Sequence, residues 1–134
     1  MQFQAQESFS KRGRSPAGQC YDQARKLMED GAFQQAADLF HKSAVESPHF
    51  KTYELMGECY MRLKRFAEAI PLLAAAATLN RGVRAPSLLA EAWLSLGRHA
   101  EALEAADMTL SRDPKNKAAL RVREVAAAMA QRAT

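Results

Sequence analysis

Shifted against itself by 33 residues, this chain falls into register twice. Ala24, Gly57 and Ala90 share one column, and Leu27, Tyr60 and Trp93 share the next large one. Phe33, Phe66 and His99 follow, then Ala36, Ala69 and Ala102, then Phe40, Leu73 and Ala106. Self-similarity at a period of this length means a unit that cannot bury its apolar face alone and must stack on its neighbours. Three copies fill residues 17–49, 50–82 and 83–115, and the fold that follows is a solenoid, not a closed globule.

Inside each unit the apolar period is helical. Tyr53, Met56, Gly57 and Tyr60 recur at i, i+3, i+4 and i+7, one face of a helix. The stretch "LKR" breaks that stripe, and a second begins at Phe66 and runs through Ala69, Ile70, Leu73 and Ala76 or Ala77. Small residues at 24, 57 and 90 and at 36, 69 and 102 allow close backbone approach beside the large residues at 27, 60 and 93. Gly31 and Gly97 stand where the first helix must end. Pro48 and Pro114 stop the second. Ser15 followed by Pro16 reads as an N-cap and first-turn pair. Pro86 falls near the start of the fifth helix, which is expected to begin late, and Pro71 falls one turn into the fourth, where it bends the axis. A seventh helix is expected over residues 116–131. Its apolar stripe is read as Ala118, Val122, Val125 and Met129, with Lys117, Arg121, Glu124 and Arg132 opposite and Leu120 off the stripe. That is the polar-backed cap a solenoid end requires. Residues 1–14 are expected to be a disordered basic tail ahead of one domain at 15–134.

These columns resemble the tetratricopeptide repeat, whose period is 34. "YELMGECYMRLKRFAEAIPLLAAAATLN" resembles a whole repeat, and "YDQARKLMEDGAFQQAADLFHKSAVESP" and "LLAEAWLSLGRHAEALEAADMTLSRDP" resemble two more. The resemblance implies an all-α, right-handed α-solenoid of three helix-turn-helix units and a cap, about seven helices in all. The chain departs from the family pattern at Lys64, which replaces the turn glycine of the second unit, and at Arg81, which replaces its closing proline. In the third unit His99 and Ala106 replace aromatics, which loosens its packing.

No residues are placed for chemistry. His41, His49 and His99 have no second ligand at helical or turn spacing, so no metal site is expected. There is no glycine-rich phosphate loop, GxSxG or HExxH, and neither an enzyme nor a cofactor is expected. Cys59 lies late in its helix beside the core face and reads as a buried small hydrophobe; Cys20 reads as a packing residue. Two cysteines without a CxxC suit a reducing compartment, and no apolar run is long enough for a signal peptide or a membrane span, so a cytoplasmic protein is expected. The net charge of +4 resides at the ends: Lys11, Arg12 and Arg14 against Glu7, and Lys115, Lys117, Arg121, Arg123 and Arg132 against Glu124. Basic ends alone, with the aromatics assigned to the core, argue against nucleic acid as the partner.

The resemblance also says where a partner sits. In this family the first helix of each unit lines the concave side, through positions that here are Tyr21, Arg25, Met28 and Glu29, then Lys51, Glu54, Glu58, Met61 and Arg62, then Arg84, Ser87, Glu91, Leu94 and Ser95. The family's carboxylate clamp would need lysine, asparagine, asparagine, lysine and arginine at Tyr21, Arg25, Leu55, Arg84 and Leu88; Arg84 alone fits, so that clamp is not expected. With Glu54, Glu58 and Glu91 along the middle and Met28, Met61 and Leu94 as floor, the expected partner is a protein or peptide segment carrying a basic residue and an apolar anchor. An adaptor or scaffold is the first functional expectation, a dedicated chaperone for a secreted or assembly partner the second, and a nucleic-acid-associated regulator the third. A monomer or weak dimer is expected.

Overall fold

The computed structural model describes residues 15–133. The expected disordered tail lies outside the described residues. Seven helices run through the described residues: α1 (Pro16–Glu29), α2 (Phe33–Glu46), α3 (Phe50–Arg62), α4 (Phe66–Leu79), α5 (Arg84–Ser95), α6 (His99–Arg112) and α7 (Lys117–Ala133). Each packs on the next in the chain, α3 also meets α5, and α5 also meets α7. The result is an α-solenoid of helix pairs ended by a single helix. None of these helices is long and apolar enough to cross a membrane.

The turns inside the pairs are built alike from unlike sequences. Gly31 donates to the Met28 carbonyl and Ala32 to that of Leu27; Lys64 and Arg65 do the same with Met61 and Tyr60, and Gly97 and Arg98 with Leu94 and Trp93. This double bond pattern is the Schellman stop, which needs a left-handed residue at its pivot. The pivots have φ +83° at Gly31, +60° at Lys64 and +75° at Gly97. The second unit thus keeps the family turn at the cost of a strained lysine.

The turns between pairs behave in the same way. Ser47, Asn80 and Asp113 end their helices in extended backbone with φ of −144°, −143° and −145°. Proline follows the first and last, while Arg81 follows Asn80. There the loop is held by side chains: Asn80 Oδ1 accepts from the Gly82 amide at 2.7 Å, and Arg112 of α6 donates to the Gly82 carbonyl at 2.9 Å. Pro86 sits in the first turn of α5, which begins one register position later than α3, as expected.

Helix packing follows the small-residue columns. A Cβ placed on Gly57 would meet Leu73 Cγ and Cδ2 at 2.7 Å, so only glycine lets α3 and α4 approach this closely. One core cluster joins Ala24, Ala36, Ala37, Phe40, Met56 and Cys59, with the Tyr21 ring edge-on to Phe40 at 5.7 Å. A second joins Leu73, Leu89, Ala102, Ala106, Ala119 and Val122. The cap corrects the sequence reading. α7 buries Ala119, Val122 and Ala126, while Val125 and Met129 stay 38% and 40% exposed. Carrying the 33-residue register one unit further, from Pro86, Leu89 and Trp93, lands on these three buried residues. An isolated reading of the α7 stripe lost that register.

Candidate partner-binding groove

The first helices of the pairs place the expected groove residues in two cavities and two ion-paired clusters. Arg25 and Met28 from α1, Glu58 and Arg62 from α3, and Arg84 from α5 line a cavity of ≈ 240 Å³, together with Glu29, Phe33 and Leu55. Tyr21 and Lys51 line a separate cavity of ≈ 360 Å³ where α1 and α3 begin. Met61 and Leu94 are half-buried against the second core cluster and line neither cavity. Ser87 is buried.

The glutamates do not face outward as free carboxylates. Glu54 is 5% exposed and held by Lys51 at 2.8 Å and by Arg84 at 3.9 Å. Glu58 takes a 2.5 Å bond from Arg84. That hydrogen bond, ahead of the field of the neighbouring glutamates, keeps the Arg84 guanidinium above its ordinary range. Glu91 meets Arg121 of α7 at 3.4 Å. Each of these carboxylates thus has a cation within the chain.

The remaining cations are arranged differently. Arg62 lies over the Phe33 ring, 5.2 Å from its centre, and Arg25 makes no ion pair or hydrogen bond among the described residues. Both open on the same cavity. Arg65 pairs with Glu68 at 2.6 Å and covers Tyr60, and Arg98 repeats this with Glu101 and Trp93. Cys59 is fully buried, and burial pushes its thiol up to about 12, with the charge of Glu58 adding to the effect.

Sequence reasoning did not single out Phe33 as a groove wall, nor Ser43, Ser47, His49 and Thr52, which line the larger cavity. Phe33 was legible only as a core column. The other four come from the end of α2 and the start of α3, where the repeat register says nothing about which side chains converge.

Two family profiles described as tetratricopeptide repeat match residues 60–131 and 21–84. The chain belongs to the tetratricopeptide repeat family. Its fold is that of a protein–protein interaction module. The first tetratricopeptide domain of Spaghetti (RPAP3), solved bound to the HSP90 peptide SRMEEVD, is 26% identical, with a TM-score of 0.78 over 86% of this chain and 94% of that one. The corresponding domain of human RPAP3 is 26% identical, with a TM-score of 0.75 over 87% and 94%. The Yersinia enterocolitica type III secretion chaperone SycD, in complex with a peptide of the translocator YopD, is 20% identical, with a TM-score of 0.75 over 87% and 94%. That last likeness is one of fold. No curated protein sequence matches the chain.

Proposed function

We propose that this chain is a non-catalytic adaptor that holds a partner segment in the crease between α1 and α3, through an apolar anchor and an acidic side chain. Met28, Leu55 and Phe33 supply the apolar wall, with methionine adapting to the anchor's shape. Arg25 and Arg62 supply the charge, and guanidinium suits carboxylate because its planar donors match two oxygens at once. The observation that carries the reading is the imbalance of pairing. Glu54, Glu58 and Glu91 each have a cation, whereas Arg25 pairs with no carboxylate among the described residues and Arg62 has an aromatic ring. The peptide held by the Spaghetti domain, SRMEEVD, combines a methionine with three acidic residues, the same pairing of chemistries.

Fluorescence anisotropy tests this with a labelled SRMEEVD peptide and a second in which lysine replaces its acidic residues. The acidic peptide is expected to bind more tightly, and the Arg25→Glu, Arg62→Glu double variant to weaken it by about tenfold or more. Tighter binding of the basic peptide would overturn the reading, as would an acidic peptide indifferent to the double variant.

A further inference from the structure

A third cavity, of ≈ 300 Å³, lies between the start of α1 and the end of α2 and shares only Ala17 with the two already described. Pro16, Ala17, Cys20 and Val45 make it apolar, and His41, Lys42 and Glu46 complete the lining. Val45 is 70% exposed, more than any other large hydrophobic side chain among the described residues. A cavity of about 150 Å³ with apolar walls holds benzene, so this one has room for an aromatic side chain.

The repeat register explains why the hollow is open and how little can enter it. In the second and third units the first helix is covered by the preceding pair, α3 by α2 and α5 by α4. Tyr53 stands one period after Cys20 and packs against two core clusters. No helix pair precedes α1 among the described residues, and Cys20 is too small to fill the same space. The rest of that face is closed to a further pair. Gln23 and Lys26 are exposed polar residues, whereas Met56 and Leu89 in the first of these columns are 3% and 8% exposed and Cys59 and Ala92 in the second are fully buried. Covering α1 with helices, from a second copy or any other source, would bury an amide and an ammonium at unfavourable cost. A short segment with one apolar side chain avoids both.

The chain itself carries such a segment. Residues 1–14 lead into Ser15 and then Pro16, a wall of the cavity. Phe9 is the large apolar residue nearest that wall, six residues before Ser15. An extended stretch of that length reaches about 20 Å, and Cys20 is only about 6 Å along the helix from Pro16. Gly13 provides a residue suited to the reversal. Charge matches as well. Glu46 makes no ion pair or side-chain hydrogen bond among the described residues, and Lys11, Arg12 and Arg14 lie between Phe9 and Ser15. Lys42 in the same lining suits the face of a ring. We propose that Phe9 docks in the cavity between α1 and α2, so that the segment before α1 gives this helix the cover that the preceding pair gives α3 and α5. The proposal is independent of the partner reading of the crease.

Cys20, in the cavity wall, reports the occupant. The full-length chain is treated with iodoacetamide, a neutral reagent, at about pH 8, and modification at each cysteine is followed by mass spectrometry. Phe9→Ser is expected to speed Cys20 modification by about fivefold, and Phe9→Leu to leave it slow. Val45→Ser should give a similar rise, and the Phe9→Ser, Val45→Ser double variant little more, because the same contact is lost either way. Cys59, fully buried, stays unmodified in every variant that keeps the fold. Phe3→Ser, at the other phenylalanine of the segment, should change nothing. Equal Cys20 rates in the parent and Phe9→Ser overturn the proposal, as do additive effects at Phe9 and Val45 or an effect of Phe3→Ser in place of Phe9→Ser. Protection that rises with protein concentration would make the cover a second copy's and would overturn it too.

Discussion

His99 stands where the first two units carry Phe33 and Phe66, and its Nδ1 is buried with no hydrogen-bond partner. A buried, unpaired polar atom costs about 1–3 kcal/mol, and an apolar group of similar shape recovers much of that. His99→Phe is therefore expected to stabilise the protein by roughly 1 kcal/mol, measured as a higher urea midpoint at unchanged slope. Cys59 presents the opposite case, an apolar use of a titratable group. Its thiol is raised from 9.0 to about 12, so the folded state holds the proton that the unfolded chain releases first. The contribution is complete below 9.0 and declines as pH rises toward 12. Unfolding curves across that alkaline window should show Cys59→Ala losing less stability than the parent. At about pH 8 a thiol reagent should modify half-buried Cys20 while Cys59 reacts only on unfolding.

At the scale of the element, one geometry is reached from different residues, and this limits what a sequence displays. Gly31 and Gly97 announce their turns, whereas Lys64 occupies the same left-handed position with φ +60° and was legible only as a departure from a column. A left-handed conformation costs an L-residue about 1–2 kcal/mol, part of which glycine returns through its freer unfolded chain. Lys64→Gly is expected to raise stability by roughly 0.5 kcal/mol, visible as a rise in Tm, with the Arg65–Glu68 pair intact. The core columns and the six paired helices were legible because each residue's neighbours are set by a 33-residue register. The α7 face was misread because its stripe was sought from α7 alone: Val125 and Met129 are apolar but stay exposed, while small Ala119 and Ala126 are buried against the preceding pair. The groove glutamates show the same limit. Their positions on α3 and α5 were legible, but Arg84 and Arg121 arrive from the next first helix, and a register cannot show long side chains reaching back across it.

For the whole molecule, the two larger core clusters divide the work unequally. The N-terminal one includes Phe40, Met56 and Cys59. In the C-terminal one, alanine holds most of the fully enclosed positions and Leu73, Leu89 and Val122 are its larger buried side chains. Alanine allows close approach but buries little apolar area, so the second cluster draws a larger share of its stability from the few large residues and from the helix that covers it. Val122 is that helix's one fully buried branched side chain. In a solenoid each unit is coupled mainly to its neighbours, so a defect in the cap is felt most strongly nearby. Val122→Ala is expected to cost about 1–2 kcal/mol, with amide exchange accelerating through α5, α6 and α7 while α1, α2 and α3 keep their protection at mild denaturant. If exchange accelerated equally in all seven helices, the molecule would be a single cooperative unit. The crease between α1 and α3 would then depend on the far cap, and a partner bound there would protect α7 as strongly as it protects α1.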